Sequence, residues 1–300
     1  PPEVPDRPRS GVRMPRTTTR AAAPTLFIIG GAEDRVGRAS LLRRFVKLAG
    51  GRQAKLVIIP TASSFRDEVV AAYTEVFARF GASAISVVNP TSRDSSGQEA
   101  AIAALDDATG IFMSGGNQLV LSQYFPGTAF GEALHRAHAR GAVVAGTSAG
   151  ASIMSEFMIA LGQDGAVPLQ RSSGVSQGLG LFKGVVIDQH FAERARYGRL
   201  MAVIARSPGL LGIGIDEDTA IEVTDGRFTV HGRSTAFVID CGQAVTDAPD
   251  ARRYAPLLVS GAVVHALPAG STFDLSTRRL AAFVEHHPDA VIAAEAALPH

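Results

Sequence analysis

The residues with the clearest chemical potential lie in Ala145-Gly146-Thr147-Ser148-Ala149-Gly150-Ala151. A serine with glycine two positions to either side, directly after an apolar run, is the pattern of a nucleophile elbow. That turn lifts the hydroxyl clear of the backbone between a strand and a helix. Small neighbours permit the tight turn, and N–H groups at the helix start, Ala149 first, face the oxyanion that acyl transfer creates. A helix is expected over 149–158. The same Gly-x-Ser-x-Gly spacing arises by chance, so its place at a strand end gives it its weight.

A serine nucleophile needs a base. Of the eight histidines, His190 alone ends an apolar run, Val185-Val186-Ile187, within Asp188-Gln189-His190-Phe191. It is therefore expected at the carboxyl edge of a strand. A histidine there can also simply cap the next helix. The third member must be a carboxylate that orients the imidazole. Glu217, after the apolar run Gly214-Ile215, is the first choice, with Asp164 and Asp188 as alternatives. In an extended strand Asp188 and His190 point to the same face. Two further groups belong with these. Gly115-Gly116-Asn117-Gln118 reads as a backbone nest for an oxyanion or a carboxylate, or else as a plain turn. Arg194, Arg196 and Arg199 fall on an expected helix after His190, either solvated or able to clamp carboxylates in pairs.

The elements that must position these groups are visible as short apolar runs ending in Gly or Pro. Leu26-Phe27-Ile28-Ile29 precedes Gly30-Gly31, Leu56-Val57-Ile58-Ile59 precedes Pro60, and Ala84-Ile85-Ser86-Val87-Val88 precedes Asn89-Pro90. Gly110-Ile111-Phe112-Met113 and Ala142-Val143-Val144-Ala145 complete the set. Such runs suit strands buried on both faces of a parallel sheet. Between them Leu41, Leu42, Phe45, Val46 and Leu48, then Val69, Tyr73, Val76, Phe77 and Phe80, recur at helical steps. The pattern predicts an α/β fold, a doubly wound, mostly parallel sheet flanked by helices, with the site at the carboxyl ends of its strands. After about residue 210 the texture turns β-like, and Asp225-Gly226 signals a hairpin, so an antiparallel portion is expected there.

Composition narrows the function class. Apolar residues make up 46% and charged residues 19%, which is a globular composition, and the net charge of +1 argues against a nucleic-acid surface. A lone cysteine, Cys241, excludes an internal disulfide and a cysteine-rich metal site. No metal or other cofactor is expected, and no apolar run reaches the length of a membrane span. Residues 1–24 carry Arg7, Arg9, Arg13, Arg16 and Arg20 and lack the apolar stretch of a secretory signal. They are expected to be a disordered tail, followed by a single domain over 25–300. A cytoplasmic location is expected, with secretion as the alternative if the N-terminal segment is a processed end.

Six segments in order resemble the cyanophycinase family. They are Gly30-Gly31-Ala32-Glu33-Asp34, Pro60-Thr61-Ala62-Ser63, Gly115-Gly116-Asn117-Gln118, the Ser148 turn, Asp188-Gln189-His190-Phe191 with the three arginines, and Gly212-Ile213-Gly214-Ile215-Asp216-Glu217. The likeness runs from about residue 25 to 240, with about 275 as its outer limit. Peptidase E-type aspartyl dipeptidases are more distant relatives. The resemblance implies a fold similar to class I glutamine amidotransferases, with a serine nucleophile, and a Ser148-His190-Glu217 arrangement. It implies substrate contacts from Gln118, Asp188, Gln189, Arg194, Arg196 and Arg199, beside the oxyanion donors Gly116, Asn117 and Ala149 expected from the nest and the helix start. It also implies the activity: a serine exopeptidase, usually a homodimer, that cuts cyanophycin to β-Asp-Arg dipeptides through an acyl-enzyme. Cyanophycin is a poly-aspartate backbone carrying arginine on each side-chain carboxyl. A dipeptidase acting on short aspartyl peptides and a non-catalytic binding protein are the competing readings.

Overall fold

The chain folds as a three-layer arrangement because its central strands are apolar on both faces. In this computed structural model, residues 23–249 and 252–284 are described; the expected tail before Thr25 lies almost wholly outside them. Strands β1 (Leu26–Ile29), β2 (Lys55–Ile59), β3 (Ala84–Val87), β4 (Gly110–Met113) and β5 (Val143–Thr147) pair in parallel in the order β1-β5-β4-β2-β3. Successive residues of β1 go to opposite sides. Phe27 and Ile29 pack under helices α1 (Ser40–Leu48) and α2 (Arg66–Arg79), with Phe45, Tyr73 and Phe77. Leu26 and Ile28 join the other layer, with Leu105 of α3 (Glu99–Asp107), Leu121 of α4 (Gln118–Tyr124) and Phe130 and Leu134 of α5 (Ala129–Arg140). Period-two alternation thus feeds two cores from one strand. One expectation fails at the edge: β3 is the terminal strand and largely exposed, so its apolar residues are not buried on both faces.

Local chemistry sets the helix ends. The Thr128 hydroxyl accepts from the Gly131 N–H at 3.3 Å to start α5, and Gly141, at φ 107°, ends it in the left-handed conformation. Asn117 caps α4 by accepting from the Leu119 N–H at 3.0 Å.

Beyond β5 the chain departs from the sequence reading. The helix expected over 149–158 stops early: α6 spans only Ala149–Ser152, and the chain enters strand β6 (Phe157–Gly162). Pairing explains this, because β6 zips against β7 (Ser173–Gln177) and alternates exposed Phe157 with buried Met158. Strand β8 (Val185–Gln189) follows, then helix α7 (Tyr197–Arg206) and strands β9 (Leu211–Ile215), β10 (Thr219–Thr224), β11 (Arg227–Gly232) and β12 (Thr235–Asp240). Short strands β13 (Val245–Thr246) and β14 (Val259–Ser260) precede β15 (Val263–Pro268), β16 (Thr272–Asp274) and β17 (Arg279–Ala282).

The expected antiparallel portion divides in two. Strands β10, β11, β16 and β17 extend the central sheet past β1, with Asp225 and Gly226, both at positive φ, forming the two-residue β10–β11 hairpin. Strands β8, β9, β12 and β15 form a second, four-stranded sheet in which only β8 and β9 run parallel. The His190 and Glu217 loops therefore hang from the second sheet, while Ser148 ends a strand of the first. One apolar cluster contains Ile28 and Val144 of the first sheet and Ile187, Ile213 and Val238 of the second, and this shared core fixes one sheet against the other.

Candidate active site

Ser148 stands between β5 and α6 with φ 52° and ψ −110°, a conformation that side chains rarely adopt. Two close approaches over-determine it. A Cβ on Gly150 would fall 2.7 Å from the Met113 carbonyl carbon, and one on Gly146 would fall 2.8 Å from Met154 Cε and collide with the Gly150 carbonyl. Both glycines of the Gly-x-Ser-x-Gly motif are thus required by packing around the turn.

Beneath the turn lies a buried polar group. Glu33 accepts from the Thr147 hydroxyl at 2.6 Å and from the Tyr73 phenol in a short hydrogen bond. Burial, followed by the neighbouring Glu33 charge, pushes the Tyr73 hydroxyl well above its ordinary value, so it stays a donor. The residue before Ser148 is thereby tied to β1's outgoing loop and to α2. Sequence reasoning quoted Glu33 and Tyr73 without assigning either a role. The available signal was that a buried tyrosine hydroxyl needs a partner.

His190 reaches Ser148 from the second sheet. Its Nε2 lies 3.0 Å from the Ser148 Oγ and its Nδ1 lies 2.6 Å from Glu217 Oε1. Only 13% of the imidazole is exposed, against 37% of the Glu217 side chain, so the outer member of the relay faces solvent. The seam between the sheets is stitched by backbone. The His190 N–H donates to the Gly30 carbonyl at 2.8 Å, and the Asp218 N–H, in the loop that leads from β9 to β10, donates to the Gly31 carbonyl at 2.9 Å. At the strand ends of the second sheet, buried Asp216 ties neighbouring loops together, accepting from the Ala192 N–H at 3.0 Å and the Ser234 hydroxyl at 2.7 Å. The Glu217 N–H donates to Glu193 Oε1 at 3.1 Å. None of these ties was assigned from sequence.

The two alternative acids are engaged elsewhere. Asp188 does not share a face with His190, because β8 ends at Gln189 and His190 turns to φ 47°. Its carboxylate, 1% exposed, instead takes the Arg199 guanidinium in a two-pronged pair, one bond being 2.7 Å from Nε. Asp164 accepts from Arg196 Nε at 2.9 Å and Arg199 Nη1 at 3.3 Å. Arg196 also donates to the Gln189 carbonyl at 2.7 Å and to its Oε1 at 2.8 Å. Burial pulls the Arg196 guanidinium down from its usual value, against the nearby Asp188 charge. The expected arginine helix is also modified. Ala195 adopts φ 49°, and α7 begins only at Tyr197, after Arg194 and Arg196. Arg196 and Arg199 are buried, and Arg194 is exposed.

The backbone nest is also altered. The Asn117 N–H donates to the Ala62 carbonyl at 2.9 Å while its side-chain oxygen caps α4, so its backbone N–H is not free for an oxyanion. The N–H groups of Gly116 and Ala149 donate to no acceptor among the described residues. Gly115 packs close to Ser148, since a Cβ there would stand 3.3 Å from Ser148 Cβ. Gln118 donates to the Ile159 carbonyl at 3.1 Å, which holds it to β6. Ser148, His190, Glu33, Arg35 and Tyr73 line an open cleft of about 310 Å³. Among the described residues no group of His, Cys, Asp and Glu side chains has the arrangement of a metal site.

Residues 26–231 match the profile of peptidase family S51. This chain belongs to peptidase family S51. It is a serine-type peptidase, in keeping with the Ser148–His190–Glu217 hydrogen-bond series. The family member is 36% identical, over 265 residues, to a cyanophycinase of Trichormus variabilis, an alignment covering 87% of this chain and 89% of that one. A cyanophycinase of Synechococcus elongatus is 35% identical over 258 residues, covering 85% and 80%. A peptidase from an acI-B1 actinobacterium shares the fold, with a TM-score of 0.63 at 20% identity, over 85% of this chain and 98% of its own. No helix among the described residues is long and apolar enough to cross a membrane.

Proposed function

We propose that this chain is a serine exopeptidase that hydrolyses cyanophycin to β-Asp-Arg dipeptides, with Ser148, His190 and Glu217 as its catalytic triad. The observation that carries the reading is the continuous Ser148–His190–Glu217 contact, at 3.0 and 2.6 Å, in a chain 36% identical to a cyanophycinase.

The chemistry follows from the geometry. His190 Nε2 accepts the Ser148 proton as Oγ attacks a backbone carbonyl carbon, while Glu217 accepts from Nδ1–H and stabilises the imidazolium. The N–H groups of Ala149 and Gly116 receive the oxyanion. The tetrahedral species collapses, the C–N bond breaks, and His190 returns its proton to the leaving amine. Water then adds to the Ser148 ester with His190 again as base, which frees the acid product and the serine.

Substrate recognition falls to Arg194, Gln118 and the buried set of Asp188, Gln189, Arg196 and Arg199. In that set Asp188 is already neutralised by Arg199, so a substrate guanidinium reaches it only by sharing or displacing that pair. The same occupation favours a second reading, an aspartyl dipeptidase that needs no guanidinium site. The reading also includes a single domain over 25–300, a homodimer and a cytoplasmic location. Incubation with cyanophycin, followed by mass spectrometry, separates the two activities. Release of β-Asp-Arg supports the first, whereas an intact polymer with free Asp released from Asp-X peptides supports the second.

A further inference from the structure

The cleft that holds Ser148 continues past the reacting groups. Arg35 and Val69 line it and also line a second groove, of about 410 Å³, between the 32–39 loop and α2. Glu68, Ala72, Glu75 and Arg79 border that groove at steps of four, three and four residues, which is one face of a helix. From Glu68 to Arg79 the helix rises about 16 Å, the reach of roughly five extended residues.

The opposite wall is pre-formed. The Asp34 carboxylate accepts from the N–H groups of Val36 at 3.0 Å, Gly37 at 2.7 Å and Ala39 at 2.9 Å. These bonds, led by those from Ala39 and Gly37, hold Asp34 below the usual carboxylate range. Arg79 donates across the groove to the carbonyls of Val36 at 2.8 Å and Arg35 at 3.1 Å, so its guanidinium belongs to the wall. Glu68, Glu75 and Arg35 are exposed and enter no ion pair among the described residues. The Arg35 guanidinium lies 5.7 Å from the centre of the Tyr73 ring, at the junction of the two hollows.

We propose that this groove is a binding track for uncleaved substrate, a chain bearing both guanidinium and carboxylate groups. Glu68 and Glu75 receive guanidinium groups, and Arg35 receives a carboxylate where the track meets the cleft. The inference rests on the cyanophycin reading above. One exposed charge contact is weak, but contacts spaced along a repeating polymer act together and keep its chain near Ser148. An oligomer that fills only the Ser148 cleft gains nothing from them.

The test compares the wild type with the Glu68→Gln/Glu75→Gln double variant on long cyanophycin and on the shortest oligomer the enzyme cleaves. KM for the polymer is expected to rise roughly fivefold, while kcat and KM for the oligomer hold. The difference is expected to shrink at high salt, because the contacts are exposed. An unchanged polymer KM overturns the track. An equal rise on both substrates also overturns it, since the glutamates would then act on the cleft itself. If the wild type cleaves neither substrate, the cyanophycin reading falls separately. Co-sedimentation of Ser148→Ala with the polymer then decides the track: loss of binding when both glutamates are substituted supports it, and no loss overturns it.

Discussion

The imidazole of His190 packs directly over the α-carbon of Gly31, where a Cβ would stand 2.6 Å from Nε2 and 2.9 Å from Nδ1. Gly31 also holds φ 112°, and its carbonyl accepts from the Asp218 N–H. The glycine of the first strand's turn thus sets how near His190 of the second sheet comes to Ser148 of the first. Gly31→Ala should push the imidazole off Ser148. The expected result is a fall in kcat of about a hundredfold or more, as for a misplaced reacting group. Circular dichroism would verify that the fold survives, and wild-type turnover in a folded variant would show that His190 has room to spare.

Asp188 and Arg199 form a buried pair, 1% and 5% exposed at the side chain. Removing one partner of such a pair costs about 3–5 kcal/mol, because the other charge is left buried and uncompensated. Asp188→Ala should therefore lower stability by about that amount, measured by urea denaturation. Lys55→Ala, which breaks an exposed pair with Asp107, should cost under about 1 kcal/mol. Comparable costs for the two variants would mean that Asp188 is not the counter-charge of Arg199.

The Tyr73 hydroxyl gives a pH signature. Its pKa is raised well above 10 in the fold, so the folded state holds this proton more tightly than the unfolded chain does. The contribution is complete below about pH 10 and declines as pH rises beyond the unfolded value. Unfolding midpoints at pH 9 and 11 should therefore converge for the wild type and Tyr73→Phe as pH rises. A gap that stays constant or widens would contradict a buried Tyr73 hydroxyl that holds its proton in the fold.

For the proposed triad acid, Glu217→Gln should reduce kcat about a hundredfold or more, by analogy with other orienting carboxylates. Asp164→Asn should leave kcat within about tenfold, because Asp164 contacts Arg196 and Arg199 but not His190. Kinetics of both variants on one substrate decide the matter, and the reverse order would move the triad acid to Asp164.

That Ser148, His190 and Glu217 come together was readable because each follows a short apolar run, and strand ends converge in an α/β sheet. The parallel core was readable for the same reason, since runs such as Leu26-Phe27-Ile28-Ile29 suit few other environments. What escaped depends on pairing between distant segments. The β6–β7 pairing cut an expected helix short, and β8 joined β9 and β12 in a separate sheet rather than the main one. The Glu33–Tyr73 bond spans forty residues, with a partner that no local pattern names. Asp188 was misread because strand alternation was carried one residue too far, past Gln189 into the left-handed turn at His190. Asn117 was misread as a free donor because its N–H partner, the Ala62 carbonyl, comes from another strand end.

The central claim, that Ser148 is the nucleophile of a cyanophycin peptidase, is tested most directly by digesting the polymer with the wild type and with Ser148→Ala. The wild type is predicted to release β-Asp-Arg, detected by mass spectrometry. Ser148→Ala is predicted to release none while unfolding as cooperatively as the wild type. Dipeptide release by Ser148→Ala at a rate near that of the wild type would contradict the account.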